Sequence, residues 1–184
     1  ANIEEEIIVV REGLIDGDLS GDDLDDFWHT RAKYIGITDA EYQSKVVSEF
    51  QKIMNSPDGS EFNLWFEYDL FCQVNMWFTI STIHSLPVKK KVFAVNTTWL
   101  ERTDKRFWGG YGAATTDELA ICFADRILLD NADIQLAHQL WTAYKCGNFT
   151  ALTHLAENKS QVFPYLKEVV KAHVDRFPKA GTKG

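Results

Sequence analysis

The sequence predicts an α/β fold: a three-layer, Rossmann-like core around a mainly parallel sheet, with a helical subdomain packed on it. Three observations predict it. Short apolar runs at residues 7–10, 63–66 and 91–95 alternate with stretches of helical periodicity. Each run ends in a polar loop that leads into a helix cap, as successive βα units do. From Asp130 onward the pattern is helical alone. The division expected is residues 1–128 for the α/β core and 129–184 for the helical part, joined as one folding unit.

The elements follow in order. EEIIVVREG reads as a strand buried on both faces. After a loop rich in glycine and aspartate, Leu24, Phe27, Trp28, Ala32 and Ile35 recur at helical spacing behind an N-cap at Asp22 or Asp23. A second helix is expected over 39–54, opened by a capping box at Thr38 and Glu41 and stopped by NSPDGS. The strand at 63–66 then feeds a helix from Asp69 to His84. A third strand at 91–95 is followed by the glycine- and aromatic-rich loop LERTDKRFWGGYGAAT and a capped helix over 116–123. DNADIQLAHQLWTAYKCG, NFTALTHLAE and FPYLKEVVKAHVDRF supply the last helices. Three strands are few for such a sheet, and the chain opens almost inside the first. A strand missing from the N-terminus is therefore expected, and PKAGTKG suggests truncation at the other end.

Composition narrows the class. At 184 residues, with 45% hydrophobic and 25% charged, the chain should bury one ordinary core. The formal net charge is -8 and the only basic run is residues 89–91, whereas a nucleic-acid groove needs clustered cations to displace counterions. Nucleic acid is not an expected partner. Cys72, Cys122 and Cys146 show no C-x-x-C pair or metal-like spacing, which fits a reducing cytoplasm. No stretch has 18 uninterrupted apolar residues, and ANIEEEII carries acid where a secretory signal carries base.

In an open parallel sheet, ligands bind beyond the carboxyl ends of the strands, where loops meet helix N-termini with unpaired N–H groups. That rule selects three stretches. The first offers Arg11, Glu12, Asp16 and Asp18 among Gly13, Gly17 and Gly21: either an acidic site for a hydroxyl-bearing ligand or Mg²⁺, or a solvated turn that caps a helix. DGDLSGDD lacks the terminal glutamate and ligand spacing of an EF-hand. In the second, Asp69 stands at an N-cap with Cys72 and Gln73 in the turns beyond. Cys72 is read as a packing residue rather than a nucleophile, having no histidine adjacent in sequence. Glu67 and Asp69 are the candidate acid–base pair, set against a plain cap and a Glu67 paired with Arg11 or Arg31. The third stretch sets Arg102, Lys105 and Arg106 beside Gly109, Gly110 and Gly112, although GGYG fits neither dinucleotide nor P-loop patterns.

VVREGLIDGD, DDFWHTRAKYI, NLWFEYDLFCQVNMWF, RFWGGYG, LAHQLWTAY and FPYLKEVVKAHVDRFP together resemble the bacterial family catalogued as domain of unknown function 1835. The resemblance spans nearly the whole chain and is most specific at D-L-F-C-Q. It implies an α/β N-terminal part, a helical C-terminal part and an extra leading strand with an asparagine-glycine-aspartate turn. No reaction is established for that family, so no catalytic role is carried over. It directs attention to Arg11, Glu12, Asp16, Gly17, Trp28, Arg31, Glu67, Asp69, Cys72, Gln73, Arg106 and Gly110.

The functional expectation is a strand-end cleft for a small polar ligand, a nucleotide or sugar phosphate. Arg11, Arg31 and Arg106 are its anion contacts, with Glu12, Gln73 and Gly110 lining it. Asp16, Glu67 and Asp69 handle hydroxyls, a proton or Mg²⁺, with Asp16 and Asp18 the candidate metal ligands. The alternative is a regulatory or assembly module that binds a protein partner through an exposed Trp141/Tyr144 face.

Overall fold

The structure, a computed structural model, describes residues 5–87, 89–97, 110–112 and 114–177. Helix α1 (Leu24–Ile35) starts where the Asp23 carboxylate accepts from the Asp26 N–H and stops at Gly36, whose φ of 80° suits glycine. Its Phe27, Trp28, Arg31 and Ala32 form one buried face. The expected second helix is α2 (Asp39–Tyr42) and α3 (Ser48–Met54), joined through a π-helical turn at Gln43–Val47. The predicted Thr38/Glu41 capping box opens it. The wider turn keeps Tyr42, Val46, Val47, Phe50 and Ile53 on the inner side.

Strand β1 (Glu61–Trp65) leads through a polar corner into α4 (Leu70–His84). Every residue of α4 from Gln73 to Ile83 is buried, the mark of a helix enclosed on all sides. Then come β2 (Lys91–Val95), α5 (Thr116–Ala124), β3 (Ile127–Leu128), α6 (Asn131–Lys145), α7 (Phe149–Leu155) and α8 (Leu166–Val174). The sheet order is β1-β2-β3, with β1 and β2 parallel in the register Trp65↔Val95 and β3 antiparallel to β2. One hydrophobic cluster runs from Leu14 through α1, α3, α4 and α6 to Val170. The core therefore crosses the division expected at residue 128.

This architecture corrects the expected fold class. The described residues are mostly helical and hold only a small mixed sheet, so there is no three-layer Rossmann-like core around a mainly parallel sheet. Residues 7–10 take no regular secondary structure and belong to no ladder, and Ile7 and Val9 are 76% and 41% exposed. An apolar run reports extended propensity, whereas a strand also needs a partner edge, which sequence does not display. Here the Val9 N–H is taken by the Glu49 carboxylate at 2.9 Å. The core organises around α4 instead of a sheet. No helix among the described residues is long and apolar enough to cross a membrane.

Candidate functional site

The two acidic loops meet the first turns of α4 on different sides. Phe71 and Asn75, one turn apart, face the loop after residue 11. The Asn75 amide donates to the Glu12 carbonyl at 2.8 Å, and the Phe71 ring lies 4.0 Å from where a Gly13 Cβ would be. Cys72 and Gln73 face the corner after β1. α4 thus separates the groups that the sequence gathered into one cleft.

In the first loop, the Arg31 guanidinium is fully buried and all three of its nitrogens are engaged. Nε donates to Glu12 Oε1 at 2.7 Å, and Nη2 lies 2.6 Å from the same oxygen. Nη1 donates to the carbonyls of Asp16 (2.7 Å) and Asp18 (3.1 Å), and Nη2 to that of Gly13 (3.1 Å). The Tyr42 hydroxyl donates to Glu12 Oε2 at 2.9 Å, and burial, then the Glu12 charge, raises its pKa. Arg31 keeps no donor for a ligand anion, and Glu12 is buried with it. Asp16 pairs with Arg176, and Asp18 Oδ1 accepts from the Ser20 N–H, a bond that lowers its pKa. Gly17 turns at φ 87°, where a Cβ would stand 2.4 Å from the Tyr34 ring. Trp28 packs in the core, and Arg11 is exposed.

The second corner is built differently. Asp69 caps α4 through Oδ1, which accepts from the Cys72 N–H at 3.1 Å. The Gln73 amide donates to the Glu67 carbonyl at 2.8 Å and so fixes the backbone that carries the Glu67 side chain. Glu67 Oε1 accepts from the Tyr111 N–H at 2.8 Å, and a Cβ on Gly110 would lie 3.0 Å from that oxygen. Glycine is what lets the chain after β2 come this close. The Tyr111 hydroxyl donates to the Val95 carbonyl, so this residue clasps both strand ends.

Side-chain ligand atoms of Glu67, Asp69 and Cys72 all lie within 4.8 Å of one another, close enough for one cation. Burial, then a hydrogen bond with Asp69, pushes the Cys72 thiol up to about 12, so without a cation it is neutral. Continuing the β1/β2 register sets Glu67 level with Thr97, a buried residue whose hydroxyl has no protein partner. No arginine or lysine among the described residues bonds to Glu67 or Asp69. Arg102, Lys105, Arg106 and Gly109 fall outside the described residues.

Sequence reasoning located this corner but passed over Tyr111 inside GGYG. Its contribution is a main-chain N–H, which any residue but proline carries, so residue type gave no signal. Trp141 and Tyr144, offered as an exposed partner face, are buried in the core. No protein family, curated protein or solved structure matches the chain.

Proposed function

We propose that the chain binds a small phosphorylated ligand, a nucleotide or sugar phosphate, as its complex with a divalent cation at the Glu67–Asp69–Cys72 corner. The observation that carries this reading is the approach of three ligand atoms to within 4.8 Å at the carboxyl end of β1. A phosphate needs positive charge beside it, and the described corner supplies acid instead. A cation held by Glu67 and Asp69 reverses that sign, while the Leu70 and Phe71 N–H groups, which open α4, suit phosphate oxygens. Carboxylates alone suit Mg²⁺; adding the Cys72 sulfur favours a softer ion such as Zn²⁺, with a fourth position left for the ligand. For chemistry on the ligand, Glu67 and Asp69 are the groups placed to move a proton.

Thermal unfolding tests the reading with Mg²⁺, Mn²⁺ or Zn²⁺ alone, then with a nucleoside diphosphate or a hexose phosphate, each with and without chelator. A cation should stabilise the protein, and the phosphate compound should add to that only when the cation is present. At roughly 100 times Kd the gain is about 2.7 kcal/mol. Glu67→Gln combined with Asp69→Asn, which keeps a good N-cap, should abolish both effects. Equal stabilisation by the phosphate compound under chelation would sink the proposal.

A further inference from the structure

A groove of about 1080 Å³ runs between residues 5–10 and β1, with Thr79 of α4 also in its lining. Residues 5–10 and 61–66 each line it without a gap. Consecutive strand residues point to opposite faces, so an unbroken run along β1 means that its backbone edge, not one side-chain face, borders the space. Among the described residues, β1 pairs with β2 along one edge only, and residues 7–10 belong to no ladder, with the Val9 N–H going to Glu49, so the outer edge of β1 is left without a strand partner. Two buried side-chain atoms in the lining, Thr79 Oγ1 and Asn63 Oδ1, have no hydrogen-bond partner. Thr79 is 2% exposed. Glu5 and Glu6 put acid in the lining, Glu61 is paired with Arg126, and Lys52, the cation in the lining, is engaged by Glu49.

We propose that this groove takes an extended polypeptide strand from outside these 184 residues, apolar at alternate positions, with a lysine or arginine beside Glu5 and Glu6. Only a polypeptide backbone offers alternating N–H and C=O groups to the free edge of β1 over the roughly 17 Å that its five residues span. A second copy of the described chain has no strand to lend: residues 62–65 and 92–95 are already in its sheet, and 7–10 form the groove wall.

The test uses the whole chain and a fluorescent, end-blocked hexapeptide, Lys-Val-Thr-Val-Thr-Val, with anisotropy and amide hydrogen exchange as readouts. Saturable binding is expected below about 1 mM, with exchange of the β1 amides slowed about tenfold. A peptide N-methylated at alternate residues should not bind, because it cannot complete the ladder. Replacing Glu5 and Glu6 together by lysine should weaken the lysine-headed peptide about tenfold and favour a glutamate-headed one. Equal binding of the methylated peptide, no binding at all, or unchanged exchange in β1 would each overturn the proposal. So would sedimentation showing a peptide-free dimer with protected β1 amides, since the occupant would then be a second copy.

Discussion

Two corners flank the start of α4, each built around a glutamate. Around Glu12, one carboxylate, one guanidinium, one phenol and three carbonyls satisfy one another in a buried knot. Around Glu67, a carboxylate accepts one backbone N–H, a second carboxylate caps a helix, and a neutral thiol sits beside them, half-buried. The first corner is closed and holds the glycine loop in shape. The second retains coordination capacity facing a helix N-terminus. What separates a structural cluster from a candidate site here is how completely its donors and acceptors are matched.

The comparison breaks most sharply at Arg31. Arg31→Met strands the buried Glu12 carboxylate and the three loop carbonyls, and should cost about 3–5 kcal/mol in urea denaturation. A cost under about 1 kcal/mol would mean that the knot is not closed. Tyr42→Phe removes one donor to the same carboxylate and should cost about 1.5–3 kcal/mol by the same measurement. At the open corner the numbers shrink. Asp69→Ala should cost about 1 kcal/mol through the lost cap, Asp69→Asn only a few tenths. Glu67→Gln should stay within about 0.5 kcal/mol while cation-dependent stabilisation disappears. The smallest effect is kinetic. Cys72 should alkylate slowly at pH 8, faster as pH climbs toward its pKa of about 12, and more slowly again when Zn²⁺ is bound. Its thiol keeps the proton longer when folded than at the ordinary 9.0, so this group lowers stability as pH rises from 9.0 toward about 12.

Local signals in the sequence read well because they depend on neighbours a few residues apart. The caps at Asp23, Asp69 and Thr38 and the strands near 63–66 and 91–95 are of this kind. The fold class failed because it turns on pairing. Residues 7–10 have strand composition without a ladder, and β3, two residues long, leaves almost no periodicity to detect. The corner at Glu67 was legible from its position at a strand end. Its separation from Glu12 was not, because the two loops fall on different faces of α4 only once Phe71, Asn75, Cys72 and Gln73 take helical angles.

The loop 13–21 is finished from the far end of the chain. Tyr144 donates to the Leu14 carbonyl across 130 positions, Lys145 to Gly21 across 124, and Arg176 to Ile15 across 161. During synthesis at roughly 5–20 residues per second, the loop waits about 6 to 32 seconds for those side chains to be made. Long closures of this kind also slow folding of the released chain. Until then the nascent chain carries an arginine and a glutamate destined for burial beside a loop not yet pinned. This is the interval in which a chaperone or protease would meet the molecule least complete.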